Sequence, residues 1–351
     1  MKTNWRTKKL EDCLGKVVYT SKVQKKDFLK SGSFPIISQE FEFINGYWNN
    51  EKDLFKIEKP IVIFGDHTQI LKYVDFDFVL GADGVKILSP KDFLNSKFFY
   101  YFLQSVDLKN LGYARHYRLL KEIQIPLLPL PEQRRIVKTL NEVFKKVAKA
   151  RESAEKNLQN AKEVFESYLQ SVFTNLGKDW EEKRLGEVLK LEYGKPLPKS
   201  YRKNDGLYPV YGANGIKDFS DKFYFSKPSI VVGRKGSAGE LHLVEKNFWP
   251  LDVSYYVTFD NKKYNINFLY HLLINLELPK LAKGVKPGIN RNEVYSIDVN
   301  IPPFPEQKSI VKKLDALSAE TKKLEGIYRQ KLADLEELKK SVLKKAFAGE
   351  L

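Results

Sequence analysis

Apolar residues in the C-terminal segment of the chain recur every three or four positions, as they do along one face of a helix. The series begins shortly after Pro305, and the polar residues Thr321 and Lys331 fill two of its places. Its apolar members are Ile310, Leu314, Leu317, Leu324, Tyr328, Leu335, Leu338 and Val342. A heptad series of this length predicts a coiled-coil helix of about 40 residues, which is roughly 60 Å long at 1.5 Å per residue.

A second heptad series follows Pro131 in the middle of the chain, and its register drifts by one residue near Asn157. Its members are Ile136, Leu140, Val143, Val147, Ala150, Ala154, Leu158, Ala161, Phe165, Tyr168 and Val172. Both apolar seams need a cover, so we predict that the two helices pack on each other in antiparallel fashion. The alternative is a coiled coil that only dimerises the protein.

Short apolar runs that end in turn residues predict strands in the two regions before these helices. The predicted strands include Pro60–Gly65, Phe76–Leu80, Pro228–Gly233 and Tyr255–Phe259. Shorter helices are predicted at Asn95–Ser105 and Asn267–Asn275. Each region is therefore predicted to be a mixed α/β domain with a twisted, mostly antiparallel sheet and loops clustered on one side.

One short motif, Pro-Glu-Gln, precedes both long helices. Its copies, Pro131–Gln133 and Pro305–Gln307, lie about 175 residues apart, and Trp5 and Trp180 keep nearly the same offset. A proline is tolerated at a helix start, and the glutamate favours the helix dipole. The predicted fold class is α+β, a pseudo-two-fold tandem repeat of two mixed α/β domains separated by two long antiparallel coiled-coil helices.

The repeat divides the chain into four segments. We predict a first globular domain at 1–128, a central helix at 129–178, a second globular domain at 179–302 and a C-terminal helix at 303–351. The end of the second helix corresponds to the end of the first, which directly precedes Trp180. We therefore expect the two ends of the chain to meet, with Trp5 near Phe347.

Composition limits the class of protein. Hydrophobic residues make up 42% of the 351 residues, which is enough for a core in each half. No apolar run approaches the ~20 residues of a membrane span, and Met1–Arg6 lacks the apolar stretch of a signal peptide. We expect a cytoplasmic protein. The single Cys13 excludes an internal disulfide framework and a cysteine zinc site.

The net charge is +16, and the basic excess is spread over all four segments. A polyanion that touches several segments fits this distribution, and nucleic acid is the first candidate. A lysine-rich surface that only keeps the protein in solution is the alternative.

Motifs for catalysis are incomplete or missing. Gly233–Gly239 follows a predicted strand but is not a P-loop, because Ala238 stands where that motif needs its second glycine. Asn300–Phe304 resembles the Asn-Pro-Pro-aromatic motif of amino-methyltransferases, but Ile301 interrupts it. The four histidines are scattered and form no metal-binding pair. We predict no catalytic residue, no metal ligand and no cofactor in this chain.

Loops rich in hydrogen-bonding groups occupy similar places in both copies. Arg and Lys can address guanine, Gln can address adenine, Thr can touch the thymine methyl, and glycines let the backbone approach a phosphate. The loops are Gly65–Gln69, Tyr113–Arg118, Lys199–Asn204, Tyr211–Gly215, Gly233–Ser237 and Lys283–Arg291. The candidate DNA-binding residues are Asp66, His67, Thr68, Gln69, Arg115, His116, Arg118, Lys199, Arg202, Lys203, Tyr211, Asn214, Arg234, Lys235, Ser237, Lys283, Lys286, Asn290 and Arg291. Ordinary polar loops are the alternative for each.

The helical parts of the two copies resemble each other more than the loops do. Gly65–Gln69 in the first copy stands where the second copy has Gly233–Ser237, and the two share only their first residue. Similar helices with dissimilar loops are what the recognition of two different half-sites would need.

The order of these features resembles the specificity subunit of type I restriction-modification enzymes. The matching segments are Trp180–Val188, Tyr211–Gly215, Gly233–Gly239, both Pro-Glu-Gln helix starts and Ala346–Leu351. The first copy departs from the pattern at Leu10–Asp12 and at Gly65–Gln69, and with Gly81–Val85 it looks like another subtype of recognition domain.

The resemblance implies a non-catalytic subunit whose two target-recognition domains each read one half of a split double-stranded DNA sequence. The helices would set the spacing between the halves and dock two methyltransferase subunits, which bind S-adenosylmethionine and methylate adenine. A restriction subunit that needs ATP and Mg would complete an endonuclease. All of these cofactors are expected on partner subunits.

Two rival hypotheses predict different behaviour. A coiled-coil scaffold that binds protein would keep its DNA affinity unchanged when Arg234 and Lys235 are replaced. A stand-alone methyltransferase would bind S-adenosylmethionine by itself.

Overall fold

The computed structural model describes residues 5–82, 84–112, 114–203 and 205–351. The loop predictions that include Asp83, Tyr113 or Asn204 therefore each contain one residue outside the described part. The chain forms two compact units, one of Met1–Glu155 with Gln330–Leu351 and one of Lys156–Arg329. Each unit holds one globular part and a stretch of each long helix.

The first globular part has ten short strands, three α-helices and two 3-10 turns among its described residues. They are β1 Thr7–Lys9, α1 Leu10–Cys13, β2 Lys22–Val23, β3 Phe34–Ile37, β4 Gly46–Trp48, β5 Leu54–Phe55, β6 Ile61–Gly65, β7 Leu71–Val74, β8 Phe78–Gly81, β9 Val85–Leu88, α2 Ser96–Ser105, α3 Tyr117–Leu120 and β10 Gln124–Pro126, with 3-10 turns at Lys25–Asp27 and Glu51–Asp53. The long helix α4, Leu130–Thr174, follows.

Three sheets build this part. One has the order β7-β6-β9 and is antiparallel, and β1 pairs with β10 alone. The third has the order β2-β8-β3-β4, with β5 also paired to β8, and β8 runs parallel to β2 and β3. Every residue of β6 is buried, because α2 lies over one face of it and the sheet that contains β3 and β8 packs against the other. Phe64 on β6 shares a core cluster with Phe98 and Phe99 on α2.

The second globular part repeats this plan. Its elements are β11 Glu181–Arg184, α5 Leu185–Val188, β12 Leu189–Tyr193, β13 Tyr208–Gly212, β14 Gly215–Ser220, β15 Ser229–Gly233, β16 Leu241–Val244, β17 Trp249–Pro250, β18 Ser254–Phe259, α6 Ile266–Asn275, α7 Arg291–Tyr295, β19 Asp298–Ile301 and 3-10 turns at Lys199–Tyr201 and Leu278–Leu281. The long helix α8, Phe304–Phe347, follows. The sheets have the orders β12-β18-β15-β16, β14-β13-β17 and β11-β19.

Most strand pairs are antiparallel, as the pattern predicts, but the strands of each part are divided among three sheets. The sequence pattern missed this division because pairing depends on contacts between distant segments. The predicted strands at 60–65 and 228–233 and the predicted helices at 95–105 and 267–275 all appear within one or two residues.

A buried glutamine ties each long helix to the short helix of its own domain. Gln133 Oε1 accepts a hydrogen bond from Asn95 N at 2.7 Å, and its Nε2 donates to Phe93 O at 2.9 Å and to Leu128 O at 2.8 Å. The Asn95 side chain in turn caps α2 by accepting from two backbone amides of its first turn. Gln133 is fully buried, so all three bonds are made away from water.

Gln307 makes the same set of bonds in the second unit. Its Oε1 accepts from Asn265 N at 2.8 Å, and its Nε2 donates to Lys263 O at 3.1 Å and to Pro302 O at 3.0 Å. Asn265 is the N-cap of α6, as Asn95 is of α2. The repeated Pro-Glu-Gln motif therefore marks the joint between a domain and its long helix, and we call each set of bonds a glutamine clamp.

Within each unit the stretches of α4 and α8 run antiparallel. In the first unit, Arg135 near the start of α4 donates to the carbonyl of Leu351, while Arg151 further along pairs with Glu336. In the second unit, Phe173 near the end of α4 packs against the same core as Val311 near the start of α8. The predicted seam of α4 is confirmed, since Ile136, Leu140, Val143, Val147, Ala150, Ala154, Leu158, Ala161, Phe165, Tyr168 and Val172 are all buried or half-buried.

The predicted seam of α8 is only partly right. Leu314 is buried and Thr321 is 5% exposed, but Leu324 and Leu338 are 41% and 46% exposed. The half-buried positions that replace these two leucines lie one residue later, at Glu325 and Lys339. Neighbouring residues differ by about 100° around a helix, so the packing partner decides which of two adjacent residues faces it.

The two ends of the chain meet inside the first unit. Trp5, Val342 and Phe347 all pack against one core cluster, which also contains Leu10 and Phe98. The expectation that Trp5 lies near Phe347 is confirmed. Among the described residues, no helix has both the length and the apolar character that crossing a membrane requires.

Candidate nucleic-acid interface

The glycine-rich loop after β15 is a tight backbone turn in the second unit. Gly239 N donates to Gly233 O at 2.8 Å, and Gly236 and Gly239 have φ values of +83° and +87°. A Cβ on Gly233 would meet Ser237 O at 2.0 Å and Ala213 O at 2.7 Å. The predicted loops at 233–239 and 211–215 are therefore neighbours.

A hairpin far along the chain docks on this loop. Lys283 and Gly288 exchange two backbone hydrogen bonds of 3.1 Å and close the hairpin. Gly236 N donates to Pro287 O at 2.9 Å, and Ile289 N donates to Arg234 O at 3.1 Å. The structure thus brings together two of the predicted loops, 233–237 and 283–291. In the sequence, the strands β16, β17 and β18 and the helix α6 lie between them.

An exposed aromatic ring supports two of the arginines at this place. The Tyr193 ring lies 5.2 Å from the Arg234 guanidinium and 4.9 Å from that of Arg291. Beneath it, burial raises the pKa of Tyr255 to about 12, so this phenol stays protonated and donates to Ile289 O. Within the described residues, Arg234 Nε is buried and has no hydrogen-bond partner.

The lysines around the hairpin differ in their pairing. Lys283 forms an ion pair with Glu293 at 2.9 Å. Lys235 and Lys286 are exposed, and neither forms an ion pair with any described residue. We call Arg234, Lys235, Lys283, Lys286 and Arg291 the basic cluster. Of these five cations, only Lys283 has a carboxylate partner in an ion pair among the described residues, so an anionic ligand is favoured there.

The predicted segment at 199–203 lies apart from this cluster. Lys203 N donates to Phe219 O, and Arg202 bridges to Ser220, so the segment follows the far end of β14. Asn214 stands at the other end of the same β-hairpin, roughly 15–20 Å away at about 3.3 Å per residue. Arg202 pairs with Asp218 at 3.7 Å, Lys203 pairs with Asp221, and Lys199 is exposed.

The remaining candidates of the second unit have mixed surroundings. Tyr211 is half-buried against His242 and Phe248, and burial raises the pKa of its phenol. Asn214 is exposed at the turn between β13 and β14, and Ser237 is half-buried. Asn290 is exposed, but its side chain caps α7 by accepting from Asn292 N at 2.9 Å.

Two candidates in the first unit are buried and hold loops together. Asp66 is 2% exposed and His116 is 1% exposed. Asp66 Oδ1 accepts from Tyr117 N at 2.7 Å, and its carbonyl accepts from His116 N at 2.7 Å. His116 Nδ1 lies 3.0 Å from the same carbonyl, and its Nε2 accepts from Leu111 N at 3.0 Å. These side chains join the 65–69 loop to the 111–118 loop, so the prediction that they contact DNA gives way to a positioning role.

The other candidates of the first unit reach its surface. Thr68, Arg115 and Arg118 are exposed, and His67 and Gln69 are half-exposed. Gln69 has a φ of +58°, which turns the chain back so that its amide donates to Gly65 O at 2.8 Å.

Sequence reasoning missed two residues that shape these places. Gln39 accepts hydrogen bonds from His67 N at 3.2 Å and from Thr68 Oγ1 at 2.6 Å, and so fixes the 65–69 loop. Tyr193 supports two arginines of the basic cluster. An aromatic residue before Gly194 at a strand end was the available signal for Tyr193, whereas nothing in the sequence marks Gln39.

Two mixed α/β domains with basic loops, each joined by a clamp to a long helix, define a tandem-repeat class of DNA-binding protein. A family model described as type I restriction modification DNA specificity domain matches residues 2–156 and 177–333. The chain belongs to this family, and its role is that of a DNA specificity subunit. The resemblance seen in the sequence is confirmed, and so is the predicted fold class.

Curated relatives are of the same kind. The chain is 23% identical to a type I restriction enzyme specificity subunit of Escherichia coli, over 88% of this chain and 85% of that one. It is 29% identical to a specificity subunit described as putative, from Haemophilus influenzae, but over only 47% of this chain and 49% of the relative.

Solved structures share the fold. A chain from a structure titled for complex assembly and conformational transition of the type I R-M system has a TM-score of 0.77 and 18% identity, and the match covers 99% of both chains. The HsdS subunit from Thermoanaerobacter tengcongensis has a TM-score of 0.58 and 18% identity, covering 99% of this chain and 98% of that one.

The family of specificity subunits is non-catalytic. In the described part of the chain, no group of three or more His, Cys, Asp or Glu side chains is arranged to hold a metal ion.

Proposed function

We propose that each globular domain reads one half of a bipartite double-stranded DNA target. The observation that carries the proposal is the basic cluster, where two distant segments dock on each other and bring five cationic side chains to one place, of which Lys283 is paired with Glu293. An arginine stacked on an aromatic ring can still donate from the edge of its guanidinium to guanine O6 and N7 or to phosphate.

In the second domain, Arg234, Lys235 and Arg291 are the proposed base and groove contacts. Lys283 and Lys286 are the proposed phosphate contacts, since they flank the tip of the hairpin. The further proposed contacts around this place are Tyr211, Asn214, Ser237 and Asn290. The segment with Lys199, Arg202 and Lys203 is proposed to meet the DNA backbone at a separate position, because it lies at the other end of β14.

In the first domain, the proposed contacts are His67, Thr68, Gln69, Arg115 and Arg118. Their loops are joined by Asp66 and His116, which are too buried to reach a base. The corresponding loops Gly65–Gln69 and Gly233–Ser237 share only their first residue, which supports two different half-sites.

We further propose that the long helices dock two methyltransferase subunits that carry S-adenosylmethionine and methylate adenine at N6. With a restriction subunit, which would bring ATP and Mg, the complex would also be an ATP-dependent endonuclease. No step of this chemistry needs a residue of this chain, whose part is to choose the DNA sequence.

The first test is to co-express the chain with the methyltransferase subunit encoded beside it and to map N6-methyladenine on the host DNA. We expect a methylated split motif that is absent without this chain. The double variant Arg234→Ala, Lys235→Ala should lose or relax one half of the motif, at a cost of about 1–3 kcal/mol per lost base contact. Lys246→Ala, an exposed lysine in the same domain, is the control and should leave the motif unchanged.

Two outcomes would overturn the proposal. Unchanged methylation and unchanged DNA affinity in the double variant would favour a protein-binding scaffold. Adenine methylation by this chain alone would make it an enzyme.

A further inference from the structure

The hairpin of the basic cluster ends in an apolar side chain that stands clear of its own domain. Val285 at the tip is fully exposed, at 105%. Its neighbour Gly284 has a φ of +92°, and a Cβ there would meet only Lys286 O, at 3.6 Å. The tip therefore lies in open space, where the valine side chain buries no apolar surface and does not stabilise the fold.

The tip is nevertheless held in place. The reciprocal bonds between Lys283 and Gly288 close the hairpin, and Pro287 accepts a hydrogen bond from Gly236 of the neighbouring loop. A β-branched side chain such as valine is also stiff at its first torsion. The hairpin thus presents a small rigid apolar group with little freedom left to lose on binding.

The surroundings of Val285 select the kind of ligand. Lys286 is unpaired among the described residues, Lys235 is beside the hairpin base, and the carboxylate of Glu293 is already paired with Lys283. An apolar tip within a cationic collar matches a stack of bases between two lines of phosphates. An acidic protein surface is a poorer match. In DNA, stacked bases always lie between the phosphates, whereas an acidic protein surface need not have an apolar slot between its charges.

We propose that Val285 is a wedge that enters the groove of the half-site and partly unstacks one base step. The lysines on either side would hold the flanking phosphates. Apolar wedges used in this way kink the duplex, and the energy of the kink depends on the sequence that is deformed. Val285 would then contribute to specificity without a hydrogen bond to any base. This inference rests on the proposed function, the reading of DNA by the second domain.

The test uses the complex of the chain with its methyltransferase subunit and a duplex that carries the methylated motif mapped above. Base unstacking is followed by 2-aminopurine fluorescence at each adenine and by permanganate reactivity at each thymine of the half-site. The wild type should show one unstacked step in addition to the adenine that the methyltransferase subunit flips out of the duplex. Val285→Ser should lose that signal and bind about tenfold more weakly, as expected for an apolar contact the size of a valine.

Val18→Ser is the matched control, since Val18 is 88% exposed and belongs to the first unit, whereas the basic cluster is built from residues of the second. It should behave as the wild type. The salt dependence separates the wedge from a phosphate contact. Lys286→Ala should lower the slope of log affinity against log salt by about one, while Val285→Ser should leave the slope unchanged.

Three results would overturn the wedge. If the wild type binds the duplex and Val285→Ser keeps both signal and affinity, the wedge is wrong and the proposed function stands. If Val285→Ser instead lowers recovery of the methyltransferase subunit with DNA binding intact, the tip is a protein contact. If the wild type does not prefer the methylated motif, the proposed function itself fails and the wedge fails with it.

Discussion

Burial decides whether a polar residue of the predicted DNA-binding loops holds the loop in place or faces the solvent. Asp66 and Thr68 lie two positions apart in one loop, yet Asp66 is buried against backbone amides while Thr68 is exposed. Removing a carboxylate that accepts a hydrogen bond from a buried amide lowers the free energy of unfolding. Removing an exposed side chain changes it little. We therefore expect substitutions of buried residues in the predicted loops to lower stability, and substitutions of exposed residues to lower DNA affinity.

Asp66→Ala should lower the free energy of unfolding by about 1–3 kcal/mol, because Tyr117 N then loses its acceptor in a buried place. Urea unfolding of the full chain measures this. Asp66→Asn keeps an oxygen that can accept the bond and should restore most of the loss. Arg118→Ala should unfold like the wild type but bind DNA more weakly. A fully stable Asp66→Ala with reduced affinity at one base pair would return Asp66 to the contact set.

Lys72 should make the stability of the first unit depend on pH. Burial lowers its pKa to about 8, although its ammonium donates to Glu42 O, Phe43 O and Asn45 Oδ1. The unfolded lysine keeps a pKa near 10.5, so between about pH 8 and 10.5 the unfolded chain holds a proton that the folded chain lacks. Stability should therefore rise with pH across this window.

The rise is at most about 3 kcal/mol, since the three oxygen acceptors favour the charged form. It is measured as the difference between wild type and Lys72→Met in unfolding free energy from pH 7 to 11. The exposed Lys52→Met serves as control and should follow the wild type. Parallel curves for wild type and Lys72→Met would show that Lys72 titrates normally.

At the scale of elements, the joints between domain and helix are built from side-chain bonds to backbone. Each clamp connects the first turn of a long helix to the capped start of a short helix through one glutamine. Because the same three bonds recur in both units, the clamp belongs to the repeat and is independent of the DNA sequence that each domain reads.

Gln133→Ala and Gln307→Ala should each lower the free energy of unfolding by about 1–3 kcal/mol, because one amide and two carbonyls are left unpaired in a buried place. Hydrogen exchange locates the effect. The Asn95 amide should lose protection only in Gln133→Ala, and the Asn265 amide only in Gln307→Ala. Gln170→Ala, an exposed glutamine of α4, should stay within about 0.5 kcal/mol of wild type. Unchanged amide protection would mean that the clamp adds nothing to the joint.

At the scale of the whole molecule, the first unit draws on both ends of the chain. Its core includes Trp5 near the beginning and Leu343 near the end, and Leu343 is 3% exposed. The second unit is continuous in sequence, from Lys156 to Arg329. Trp5 and the end of α8 thus belong to one unit and pack against the same core cluster.

A circularly permuted chain should therefore fold. Its former ends would be joined by a short glycine-serine linker, and its new ends would lie between Lys178 and Asp179, in the connection between α4 and β11. We expect a melting temperature within about 5 °C of wild type, since no packed element is cut. A second permutant opened between Glu152 and Ser153 cuts α4 and should be far less stable. Equal loss in both permutants would contradict a close meeting of the ends.

The sequence by itself determined the repeat, the two long helices and the central strands, because heptad spacing, β-branched runs and turn residues act over short distances. It also pointed to DNA, through spread positive charge and loops of donors. Only the tertiary structure decided which face of α8 is buried at Leu314 and exposed at Leu324, since a helix seam depends on its partner. It also separated Lys199–Lys203 from the basic cluster, joined the two loops that form that cluster, and buried Asp66 and His116. These features depend on contacts between residues far apart in the chain, which no local pattern encodes.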